Sequence, residues 1–128
     1  MNEPIKTTKE DFEIFKTECK KWIDYFGLYG WETTYKHEVF EEEYMADCAF
    51  SPHIRAAIIR LNAERPGGPN MIESNVKRSA FHEVCELFLG KLTFMAEARF
   101  LADGEIEEET HNIIRILENR LFTGGRLE

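Results

Sequence analysis

Three side chains within five residues carry most of the chemistry available to this chain: His82, Glu83 and Glu86 in Phe81-His82-Glu83-Val84-Cys85-Glu86-Leu87. On a helix, positions i and i+4 lie one turn apart on one face, so His82 and Glu86 point at the same spot with Glu83 beside them. Imidazole nitrogen and carboxylate oxygen are both ligands of zinc. In a His-Glu-x-x-His helix two imidazoles hold the metal and the Glu takes a proton from water. Here Glu86 stands in place of the second imidazole, giving His-Glu-x-x-Glu.

A catalytic zinc takes three protein ligands and leaves a position for water, so a further ligand must come from another element. The segment Glu105 to Ile114 can supply it, because Glu107 and His111 are themselves spaced i and i+4. His111 is the first choice. It lies beside an apolar face, three residues before Ile114, and a buried His needs a partner. Glu107 is the second choice. With His111 the set is two His and one carboxylate, which is known for catalytic zinc. Without it, one His among carboxylates is a harder set that favours manganese or iron.

The rest of the chain supplies the scaffold for these residues. Thr8 with Glu10 and Asp11 reads as a helix start, a Thr cap with acids in the first turn. Phe12, Phe15, Cys19, Trp22, Ile23 and Phe26 recur at spacings of three and four, so a helix is predicted over about 8–26, ended by Gly27 and Gly30. Residues 31–40 alternate and are rich in aromatic and β-branched types, which predicts a strand with Trp31, Thr33, Tyr35, His37 and Val39 on one face. Further strands are predicted over 44–50 and 55–62, joined by Ser51-Pro52-His53. Short connections suggest a three-stranded antiparallel sheet. A loop around Arg65-Pro66-Gly67-Gly68-Pro69 leads to a central helix over about 72–98, bent at Gly90, with Val76, Ala80, Val84, Leu87, Phe88 and Leu92 as its apolar stripe. After Asp103-Gly104 a last helix begins near Glu105, burying Ile106, Thr110, Ile113, Leu117 and Leu121, and ends at Gly124-Gly125. The expected fold is therefore α+β: an N-terminal helix, a three-stranded antiparallel sheet, a central helix and a C-terminal helix packed on the sheet, in one domain spanning 1–128.

Composition narrows the function classes. A chain of 128 residues with 43% hydrophobic and 12% aromatic residues can bury a core without staples. The net charge of -8 argues against a general nucleic-acid binder, which needs a basic patch. No apolar run approaches a membrane span, and Met1 to Lys6 lack the apolar core of a signal peptide. A cytoplasmic location is expected. Cys19, Cys48 and Cys85 form no Cys-x-x-Cys pair, so buried free thiols are expected. His37 reads as a packing residue, His53 as a surface residue in a turn, and Arg55 and Arg60 as sheet-edge or solvent-facing charges. Glu41-Glu42-Glu43 reads as a solvated acidic turn.

Several stretches in order resemble a compact family of bacteriophage and prophage metallopeptidases with a minimal zincin core. They are Trp31-Glu32, Arg55-Ala56-Ala57-Ile58-Ile59-Arg60-Leu61, Phe81 to Leu87, and Glu107 to Asn119. The resemblance implies a helix, a small sheet, a metal helix and a closing helix. It further implies His82 as a metal ligand, Glu83 as the general base, Glu86 in the place of the usual second His, and His111 or Glu107 completing the site. The function this implies is hydrolysis of peptide bonds by a metal-activated water, with zinc (or manganese or another divalent ion) as cofactor. The partner is then a protein or peptide substrate, met in the host cytoplasm if the chain is phage-encoded. The SprT-like proteases share the concept, but this chain lacks their second His. The rival expectation is a catalytically inactive zincin-like phage accessory protein that acts by binding another protein, its acidic surface suiting a basic partner.

Overall fold

The computed structural model describes residues 5–40, 44–65, 73–98 and 104–123. The expected turn at Glu41 to Glu43, the connector at 66–70, Asp103 and the Gly124-Gly125 ending lie outside these residues. In chain order the elements are β1 (Ile5–Lys6), α1 (Lys9–Phe26), β2 (Glu32–Glu38), β3 (Ala46–Ser51), β4 (Ala56–Asn62), β5 (Glu64–Arg65), α2 (Glu73–Phe88), α3 (Gly90–Glu97) and α4 (Glu105–Leu117), with a π-helical turn over Glu118–Thr123.

The first helix starts where its cap dictates. The Asp11 N–H donates to the Thr8 hydroxyl at 3.0 Å while the Thr8 N–H donates to the Asp11 carboxylate at 2.8 Å, a reciprocal pair that satisfies two donors a helix start leaves open. Gly27 ends it at φ 68°, a left-handed conformation that costs glycine nothing. Phe15, Cys19 and Phe26 on its inner face are buried.

The sheet departs from expectation. Its order is β2-β4-β3, with β2 parallel to β4 and β3 antiparallel to β4, so it is mixed where an antiparallel sheet was expected. The reason lies in side-chain burial. β4 is the most apolar strand, with Ala57, Ile59 and Leu61 all buried, and the centre of the sheet is where such a strand is covered best. Residues 39–55, with β3 inside them, are long enough to serve as the crossover that a parallel pair requires. Tyr35 and His37 face inward on β2, as the alternation predicts, but Val39 lies beyond the strand and is exposed. Ahead of α1, Ile5 and Lys6 pair antiparallel with Arg65 and Glu64.

Helices cover one face of this sheet. Val76, Ala80 and Val84 of α2 join Phe15, Cys19, Ile59 and Leu61 in the core. The long helix breaks at Leu89, and Gly90 sits so close to β3 that an added Cβ would lie 2.6 Å from the Phe50 ring. α4 contributes Ile113 to the core, whereas Ile106 and Leu121 are exposed. No helix among the described residues is long and apolar enough to cross a membrane.

Candidate metal centre

The phase of α2 decides which of its polar groups meet. At about 100° per residue, Val76, Ala80, Val84 and Leu87 form the buried side, all at 1% exposure or less. His82 and Glu86 fall on the opposite, solvent-facing side. Glu83 falls between the two, at the margin of the core. One donor atom each from His82, Glu83 and Glu86 lies within 4.8 Å of the others, and this is the one such cluster of three or more His, Cys, Asp or Glu donors among the described residues. His82 Nε2 and Glu86 Oε2 are 2.9 Å apart.

Glu83 is the unusual member. It is buried, and its Oε1 has no hydrogen-bond partner. Burial, then the charges of Glu86 and Asp47, push its carboxyl up to about 8. A buried carboxyl flanked by two further carboxylates concentrates negative charge where water cannot screen it, which is the environment that a cation relieves. The donor set, one imidazole and two carboxylates with an unsatisfied oxygen among them, fits a divalent ion.

The edge strand β3 forms the wall opposite. Cys48 is pushed up to about 12, mainly by burial and then by Glu83, Glu86 and Asp47, so it presents a protonated thiol. Burial likewise raises Cys19 and Cys85, and none of the three thiols is an activated nucleophile. Asp47 is held on its other side by Arg60, which also donates to Glu38 at 2.8 Å. Sequence reasoning did not bring Asp47 and Cys48 to Glu83, because that depends on β3 lying at the sheet edge over α2.

His111 and Glu107 do not join the group. Both are exposed on α4. The side of α4 that packs inward is fixed by Ile113, whereas Ile114 is exposed. One residue of helix is about 100°, so this phase turns His111 away from the core. Ile113 and Leu117 line a groove with Phe81, Cys85 and Phe88 of α2, and Phe81 sits about 160° around that helix from Glu83. The closing helix therefore approaches the flank of α2 away from Glu83.

Two other His residues have structural roles. His37 Nε2 lies 2.7 Å from the Thr7 hydroxyl, and its ring stacks on Phe12. His53 is exposed in the β3–β4 turn, edge-on to Phe94. No family model matches the chain, and no curated protein or solved structure does so either.

Proposed function

We propose that His82, Glu83 and Glu86 bind a divalent cation, zinc or manganese, and that the chain is a metal-dependent hydrolase of peptide bonds. The observation that carries this reading is the unsatisfied buried oxygen of Glu83 beside two exposed donors one helical turn apart. His82 and Glu86 hold the ion from the solvent side, so the site is open to a substrate. A divalent ion bound there supplies Lewis acidity that lowers the pKa of water. Glu83, beside the ion, would take the proton from that water and return it. Because Glu83, pushed up to about 8, carries its proton below that value, cation binding displaces it. Apparent affinity therefore climbs as pH rises toward about 8. The resemblance of Phe81 to Leu87 and the flanking strands to minimal zincins supports the peptide-bond assignment.

The test starts from protein purified without added metal, then exposed to zinc or manganese and desalted. Elemental analysis is expected to give about one ion per wild-type chain, as one set of ligands implies. Glu83→Gln, with one of the three ligands gone, holds the ion more weakly, and at metal concentrations that still load it no longer cleaves an unfolded protein such as casein. A wild-type chain that takes up neither metal contradicts the proposal. An ion bound without cleavage of any offered protein favours the second reading, an inactive zincin-like phage accessory protein that works by protein binding. The exposed apolar side chains Ile114, Leu121 and Phe122 along the last helix and its π-helical turn support that alternative.

A further inference from the structure

A second site lies where the start of β2, the β3–β4 turn, α3 and α4 meet. It is a cavity of about 550 Å³ to which the His82–Glu83–Glu86 group contributes no wall. Leu87, Ile113 and Met95 form apolar parts of its lining, with Trp31, Phe88 and Phe94 as its flat aromatic ones. Its charged groups are Arg55, Lys91 and Glu109. The Glu109 carboxylate lies 3.7 Å from the Lys91 ammonium and accepts from the Asn112 amide, so that pair is neutral as a unit. Among the described residues the Arg55 guanidinium has no hydrogen-bond or ion-pair partner. In a chain of net charge -8, this cavity thus carries one uncompensated positive charge.

The backbone is arranged to put that charge there. Residues 52–55 close the β3–β4 hairpin, and the last residue of such a loop commonly takes a left-handed conformation, for which Gly or Asn is best suited. This chain uses Arg at φ 53°, a conformation that is strained for a side chain of that size. The Arg55 carbonyl accepts from the Glu32 N–H at 2.8 Å, which fixes the turn against β2. Gly30 opposite leaves room for the side chain, since a Cβ there would sit 3.0 Å from an Arg55 guanidinium nitrogen.

We infer that this cavity binds a carboxylate joined to an aromatic or apolar body. Arg55 grips the carboxylate through its planar fork of donors, and Trp31 and Phe94 enclose the body. The volume is in the range of small-molecule sites. Two sources offer this chemistry: a free aryl carboxylic acid and the C-terminal residue of a peptide.

Tryptophan fluorescence reads out binding, because Trp31 lines the cavity. The full chain is titrated with phenylacetate against phenylacetamide, and with a short peptide ending in Phe against its C-terminal amide. Saturable binding of at least one carboxylate is expected below about 10 mM, with its amide at least roughly tenfold weaker. Saturation by the peptide alone assigns the site to chain ends, and saturation by phenylacetate assigns it to free acids as well. Arg55→Gln loses the preference for the carboxylate over the amide, and Arg55→Lys keeps part of it. Arg55→Gly loses it too but melts at the same or a higher temperature, because glycine accepts that φ without strain, which separates a ligand role from a folding role. No saturable binding of either carboxylate, or equal binding of acid and amide by the wild type, overturns the inference.

Discussion

Asn62 and Glu83 are both polar and both buried, at 1% and 5% exposure, and they are treated in opposite ways. The Asn62 side-chain oxygen accepts from the backbone N–H groups of Phe40 and Glu64 at 3.1 and 3.2 Å, and its amide donates to the Tyr44 carbonyl at 2.7 Å. Thr7 donates to its backbone carbonyl at 2.8 Å. One side chain thus joins the end of the central strand to the segments before and after it. Glu83 instead keeps an oxygen with no partner and faces the negative charges of Glu86 and Asp47. A buried polar group with its bonds complete holds a fold together. One left incomplete among like charges lowers stability, and such local costs gather where a protein binds or reacts.

If that contrast is right, the largest stability loss belongs to Asn62. Asn62→Leu strands two N–H donors and a carbonyl, each costing about 1–3 kcal/mol when buried and unpaired. A loss of about 3 kcal/mol or more is expected from urea unfolding, with metal uptake unchanged in whatever fraction stays folded. A loss below about 1 kcal/mol would mean that water replaces the amide and that the corner is not the strut described.

Glu83 should respond with the opposite sign. Its carboxyl titrates higher in the folded chain, near 8, than at its ordinary value of 4.5, so the folded state holds the proton more tightly. The stability this gives is complete below about pH 4.5 and is lost as pH rises through about 8. Glu83→Gln, which never ionises, should match the wild type near pH 4.5 and exceed it by roughly 2–4 kcal/mol at pH 9. Urea melts at the two pH values check this, and parallel curves for the two proteins would remove the distinction between Glu83 and Asn62. Saturating zinc should shrink the gap at pH 9 by stabilising the wild type.

Sequence made the local part of this contrast visible. The Thr8–Asp11 cap, the apolar stripe of α2 and the i, i+4 relation of His82 to Glu86 all follow from neighbours within one turn. What it did not reveal depends on how distant elements dock. The parallel β2–β4 pairing follows from burying the most apolar strand in the centre, and it brings Asp47 and Cys48 to Glu83. Ile113 faces inward on α4 as its spacing predicts, but His111 and Glu107 lie on the exposed side of the same helix, and which flank of α2 that helix approaches is not written in its own periodicity. The burial of Asn62 was equally hidden, because a polar residue ending a strand has no periodic signature, and its partners come from both sides of the sheet.

The smallest effect on stability should come from the residue on which the metal proposal depends most. The His82 and Glu86 side chains are 68% and 49% exposed, and they pair at 2.9 Å across one turn of helix. An exposed i, i+4 pair of this kind contributes only a few tenths of a kcal/mol. His82→Ala should therefore leave the urea midpoint almost where it was, while weakening zinc binding by more than the roughly 10–100-fold that follows loss of an outer-shell partner. A competition titration against a colorimetric chelator measures the second quantity. Asn62→Leu should show the reverse profile, with stability lost and affinity per folded chain retained. If His82→Ala binds zinc as the wild type does, the ion sits elsewhere, and the unsatisfied oxygen of Glu83 would need an explanation other than a cation.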